Sequence, residues 1–101
     1  MLYMIIERFR NGEARPVYER FRERGRLAPD SLQYLGSWVT PDLTLCYQVM
    51  ESPDRASLDA WMAAWSDLVE FEVIPVLSSA DAAARVLAPA TAAGRDLPRN
   101  R

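Results

Sequence analysis

Along this chain the hydrophobic repeat switches between a period of two and a period of about 3.6 residues, and the order of those switches limits the fold more than any other feature. Leu2 to Phe9 alternates: Leu2, Met4 and Ile6 fall on one side, Tyr3, Ile5, Glu7 and Phe9 on the other. Asn11-Gly12 closes this strand. Glu13 to Leu27 reads as a helix, with Pro16 in its first turn and Gly25 and Pro29 at its end. Ala14, Val17, Phe21 and Leu27 form its apolar stripe, with Tyr18 at the edge. Strands follow at Ser31 to Thr40 and Leu43 to Glu51, joined by the turn Thr40-Pro41-Asp42. Gly36 inside the second strand predicts a bulge. Ser52-Pro53-Asp54 opens a second helix, capped by Ser52 or Asp54, with Leu58, Trp61, Met62 and Trp65 on one face. Val69 to Leu77 is the fourth strand, and Pro75 late in it favours a sheet edge. Ser78 or Ser79 caps a last helix, Ala80 to Leu87.

The order is β-α-β-β-α-β, with a short helix appended. Right-handed crossovers then give an α+β domain of ferredoxin-like type. It has a four-stranded antiparallel sheet in the order 4-1-3-2, with both long helices on one face. Residues 1–87 form this single domain, and 88–101, poor in periodicity, are expected to be a disordered tail.

Sorting the strands by face gives a uniformly apolar set: Leu2, Met4, Ile6; Leu32, Tyr34, Trp38; Leu43, Leu45, Tyr47, Val49; Val69, Phe71, Val73. This set is expected beneath the helices. The mixed set contains Tyr3, Ile5, Glu7, Phe9, Gln33, Leu35, Ser37, Val39, Thr44, Cys46, Gln48, Met50, Glu70, Glu72, Ile74 and Val76. It is too apolar to stand in water, so a second copy is expected to cover it. Two sheets face to face around a two-fold axis make a dimeric α+β barrel, lined by the polar minority Glu7, Ser37, Cys46, Gln48 and Glu72.

Composition excludes several chemistries. The chain has no histidine, which removes Ser-His-Asp and Cys-His catalysis and His-ligated zinc or haem. One cysteine, Cys46, makes neither a disulfide nor a thiolate cage, so no metal site is expected and a reducing compartment fits. The four glycines lie far apart, so no phosphate loop is present. A net charge of −2 with interspersed signs argues against nucleic acid. Arg20, Arg22, Arg24 and Arg26 are broken by Glu23 and read as a solvated helix face. The start MLYMIIERFR lacks the pattern of a signal peptide, and no apolar run has the length of a membrane span. A cytoplasmic chain without membrane contact is expected.

Glu7 and Glu72 are the candidate catalytic carboxylates, with Glu70 beside them. On adjacent strands Glu7 and Glu72 would approach each other, and paired carboxyls shift apart in pKa. The plainer reading pairs them with arginines such as Arg8 or Arg15. Tyr3, Ser37, Cys46 and Gln48 are the candidate ligand-binding residues. Cys46 also reads as a small buried hydrophobe, and Trp61 and Trp65 as core.

The segments MLYMIIERF, RFRERGRLAPDSLQYLGSWV and WMAAWSDLVEFEVIPVLSSADAAA resemble the bacterial domain of unknown function 3303 family, over about residues 1 to 87. The resemblance implies a dimeric α+β barrel and no particular activity, cofactor or catalytic residue. The fold is similar, more distantly, to that of the antibiotic-biosynthesis monooxygenases and muconolactone isomerases, and fold does not fix function. The expected function is a homodimeric module that binds a small molecule or is structural or regulatory, with no cofactor. The alternative is a metal-independent enzyme, an isomerase or cofactor-independent oxygenase. Glu7 or Glu72 would be its base, and Tyr3 or Gln48 would polarise the substrate.

Overall fold

A computed structural model of the protein describes residues 1–89, and residues 90–101, most of the expected tail, lie outside the described residues. β1 (Leu2–Phe9) ends in a short 3₁₀ turn at Arg10–Gly12. There Asn11 and Gly12 sit at φ 59° and 66°, a region that Asn and Gly enter at little cost. α1 (Arg15–Arg24) has Pro16 in its first turn and stops at Gly25, φ 73°. The helix is therefore shorter than the expected Glu13 to Leu27, and Arg26 and Leu27 belong to the loop that follows. β2 (Gln33–Val39) and β3 (Leu45–Glu51) form the hairpin. α2 (Arg55–Ala63) is capped by Asp54, whose carboxylate accepts from the Ser57 N–H at 2.8 Å. β4 (Val69–Val76) leads into α3 (Ser79–Val86), capped by Ser78.

The sheet has four strands in the order β2-β3-β1-β4, every neighbouring pair antiparallel. This is the ferredoxin-like arrangement expected from the element order, and Pro75 lies on an edge strand. The bulge at Gly36 is present: the β2–β3 register slips between Tyr34 and Gly36. Tyr34 pairs with Met50, and Ser37 with Gln48. The extra residue is what puts Tyr34 and Ser37, three apart, on the same face, and it turns Trp38 to the other.

The faces differ from the sequence expectation. Tyr3, Ile5, Leu32 and Met50 pack with Leu58, Trp61 and Trp65 in one buried cluster; Phe9, Cys46 and Val69 form a second. Val17 of α1 touches both. The mixed face of β1 and β3 thus lies beneath the helices, and Leu2, Met4, Ile6, Leu45, Tyr47 and Val49 lie on the open face. In β4 the expected set, Val69, Phe71 and Val73, does face the helices. The β1–β4 register is the reason: it sets Glu7 opposite Phe71 and Ile6 opposite Glu72. Alternation divides each strand into two faces, but pairing decides which face of one strand joins which face of the next.

The open face remains apolar. Trp38, 63% exposed, lies across Gly36, with exposed Tyr47 opposite it on β3, and Ile74 is exposed on β4 at the far edge of the sheet. α3 has no buried residue, and Leu77, Val86 and Leu87 are exposed around it.

Candidate functional site

A cavity of about 100 Å³ lies between the sheet and the helices. Its floor is Glu7 and Phe9 of β1, Ser37 of β2, and Cys46 and Gln48 of β3. Its walls are Val17, Tyr18 and Phe21 of α1, Trp61 of α2 and Trp65 just beyond it; Arg26 completes it from the α1–β2 loop. The sheet register assembles the floor, since Glu7 lies opposite Cys46, and Ser37 opposite Gln48. α1 spans it without burying any residue completely, so Tyr18 and Phe21 line the cavity and also meet solvent.

Glu7 is the unusual group. It is 7% exposed, and among the described residues no donor hydrogen-bonds its carboxyl. Burial pushes its pKa from 4.5 up to about 7, while the Arg26 guanidinium pulls it partly back. Arg26 is held from several sides. Its backbone carbonyl accepts from the Trp65 indole at 2.9 Å, its Nη1 donates to Gln48 Oε1 at 3.2 Å, and its guanidinium lies 3.6 Å from the Tyr34 ring centre. Phe21 stands 5.0 Å away on α1. The Gln48 amide nitrogen donates to Met50 Sδ at 3.4 Å, a weak acceptor. Ser37 Oγ and Tyr34 Oη share a hydrogen bond of 2.6 Å. The Trp61 indole N–H is buried without a partner among the described residues.

Burial, then the charge of Glu7, pushes the Cys46 thiol up to about 12, so it is a neutral thiol at physiological pH. Burial likewise raises Tyr18. The chemistry available is therefore proton exchange at one buried carboxyl beside one cation. Among the described residues no group of three or more His, Cys, Asp or Glu is placed to hold a metal ion.

Of the sequence candidates, Glu7, Ser37, Cys46 and Gln48 meet in this cavity, on the helix side of the sheet rather than inside a barrel. Tyr3 lies on the same side but in the core cluster, away from the cavity lining. Glu72 is on the opposite face, where it pairs with Arg8 at 3.1 Å; Glu70 pairs with Arg10 at 3.5 Å. The expected approach of Glu7 and Glu72 does not occur, because the register sets Ile6, not Glu7, against Glu72. Sequence reasoning missed Arg26, Tyr18 and Tyr34 as site residues. For Arg26 the signal was Gly25: a helix ending there removes Arg26 from the solvated helix face.

A ferredoxin-like α+β domain with a polar-floored cleft beneath its helices is thus defined. The chain belongs to the family of the domain of unknown function DUF3303, which matches residues 1–90. No curated protein matches it. A crystal structure of protein Atu4242 from Agrobacterium tumefaciens is similar at 12% identity and a TM-score of 0.44, covering 78% of this chain and 96% of that one.

Proposed function

We propose that this chain is a homodimeric module that binds a small, partly apolar molecule in the cleft between sheet and helices. The observation that carries the reading is the Glu7 carboxyl, buried on the cavity floor without a hydrogen-bond partner among the described residues. Such a group costs free energy in the empty protein, and a ligand bearing a donor recovers it. Phe9, Val17, Phe21 and Trp61 supply apolar walls. A volume of about 100 Å³ suits a molecule of roughly one ring, smaller than a drug-sized ligand.

The homodimer rests on the open sheet face. Leu2, Met4, Ile6, Leu45, Tyr47, Val49 and Ile74 form a continuous apolar surface, flanked by the Arg8–Glu72 pair. A second copy covers such a surface with an identical one across a two-fold axis. Cys46 as a free thiol fits a reducing compartment, here the cytoplasm. No helix among the described residues is long and apolar enough to cross a membrane.

Phenol is a suitable first probe. The chain has three tryptophans, each giving one indole N–H signal in a ¹⁵N correlation spectrum. Phenol should move the signals of Trp61 and Trp65, which line the cavity, and leave that of Trp38, on the opposite face. No shift, or equal shifts in all, refutes the site. Light scattering should give a dimer mass for the wild type and a monomer for Tyr47→Arg. A monomeric wild type at micromolar concentration refutes the dimer. Native mass spectrometry of freshly purified protein reads both the oligomer and any retained ligand.

A further inference from the structure

Among the described residues the cleft holds one carboxyl, one guanidinium and no free nucleophile. The Cys46 sulfur stays protonated, and the Ser37 hydroxyl is engaged by Tyr34. Arg26 commits Nη1 to Gln48 and stacks on Tyr34, which leaves most of its N–H donors uncommitted while fixing its position at the cavity wall. Acid or base and cation thus meet across a small space walled by aromatic and aliphatic groups.

We propose that Glu7 moves protons at carbon on a small enolisable carbonyl compound bound in this cleft, with Arg26 facing the carbonyl oxygen. The proposal rests on the ligand-binding reading above and gives it a substrate class. The Glu7 carboxylate takes the proton from the carbon next to the carbonyl. The C–H electron pair becomes the C=C bond of an enolate, and the carbonyl π pair moves to oxygen, where the guanidinium stabilises the charge. Neutral Glu7 then returns the proton to carbon and the electron pairs flow back. Returned to the same carbon after the Glu7 carboxyl has traded its proton with solvent, it leaves the compound unchanged except for the exchanged hydrogen. Returned to the far end of a conjugated enolate, it leaves the double bond shifted by one position. Every atom and electron is accounted for without a co-reactant.

Three observations favour carbon acids. The lining is mostly aromatic and aliphatic, so a substrate seated there displaces water that otherwise solvates a carboxylate and blunts it as a base. The cation stands on the loop above the floor, so base and oxygen stabiliser come from different elements and can face different atoms of one substrate. Glu7 also titrates near neutrality, so its acid and base forms coexist and a proton is returned as readily as it is taken. The titratable and charged groups around it are Cys46 on β3, Arg26 on the α1–β2 loop, Tyr18 on α1 and Tyr34 on β2; β4 and α2 present Phe71 and Trp61, which do not titrate.

The test uses the full chain and cyclohexanone in D₂O, following loss of the α-proton signal by NMR. The exchange rate should exceed that of buffer, rise with pH and level off above about pH 7. Glu7→Gln should lower the rate at least about tenfold while cyclohexanone still moves the Trp61 and Trp65 indole signals. Arg26→Ala should slow exchange and move the midpoint of its pH profile upward, because the charge opposing the Glu7 shift is gone. If cyclohexanone moves no indole signal, the binding reading fails and this proposal with it. If it binds but exchange matches buffer, or survives in Glu7→Gln, only the proton-transfer proposal is overturned.

Discussion

Replacing Glu7 by Gln should stabilise the protein, and only at neutral and alkaline pH. The unfolded chain titrates this group near 4.5; in the fold burial raises it to about 7. A raised carboxyl pKa means that the folded state holds its proton more tightly than the unfolded state does. Its contribution to stability is fully present below pH 4.5, falls through the window between 4.5 and about 7, and is gone above it. Within that window the slope is about −1.4 kcal/mol per pH unit, and the whole shift amounts to about 3 kcal/mol. Glu7 is 7% exposed, so solvent screening does little to reduce this figure. Gln has nearly the same shape and no charge to desolvate. Its difference from the wild type should therefore grow between pH 5 and pH 8 by about 2.5 kcal/mol, roughly 10–20 °C in Tm for a chain of this size. Urea denaturation of both proteins at one concentration, at several pH values, measures it. Taking the difference cancels groups common to both, and any fixed cost of the amide appears as a constant offset. A pH-independent difference refutes the buried, unpartnered carboxyl, and with it the basis of the site.

Ser52 is fully buried and its hydroxyl donates to the Asp54 carbonyl at 2.6 Å, holding the turn before α2. Ser52→Ala should cost about 1–2 kcal/mol in urea denaturation, and a loss below about 0.5 kcal/mol refutes the role of this bond. Leu43 is exposed in the β2–β3 turn at φ 61°, a conformation unfavourable for leucine and accessible to asparagine. Leu43→Asn should raise stability by about 1 kcal/mol, and a lower thermal midpoint would contradict the strain. Cys46, pushed up to about 12, should resist a disulfide reagent at pH 8 in the native protein and react promptly in denaturant. Rapid native labelling would contradict its burial.

Much of the fold was legible because its signals are local. Asn11-Gly12 stops β1, Gly25 stops α1, Asp54 caps α2, and Pro75 sits on an edge strand, each through the backbone preferences of a few residues. The bulge at Gly36 was legible for the same reason, but its consequence was not. One extra residue reverses the facing of everything after it in β2, so Trp38 leaves the helix side that Tyr34 keeps. The site was legible in part. Glu7, Ser37, Cys46 and Gln48 stood out as polar residues in apolar strands, and the cavity brings them together. Glu72 stood out equally and lies on the other side of the sheet. Arg26 carried no pattern of its own, since its position is set by Trp65, Gln48 and Tyr34, distant in sequence.

The amino-acid sequence by itself determined the order of strands and helices, the neighbours of each strand and the amphipathic split within each. Those follow from periodicity, turn residues and the handedness of crossovers, which act over a few residues or through rules common to all chains. Only the tertiary structure decided which face of each strand meets the helices. A strand of period two carries no mark for up or down, and both faces of β1 and β3 are apolar enough to be buried. Register with the neighbouring strand and the volume beneath α1 and α2 made that choice. It placed Glu7 on the floor of the cleft opposite Cys46 and turned the more uniformly apolar side of β1 and β3 outward.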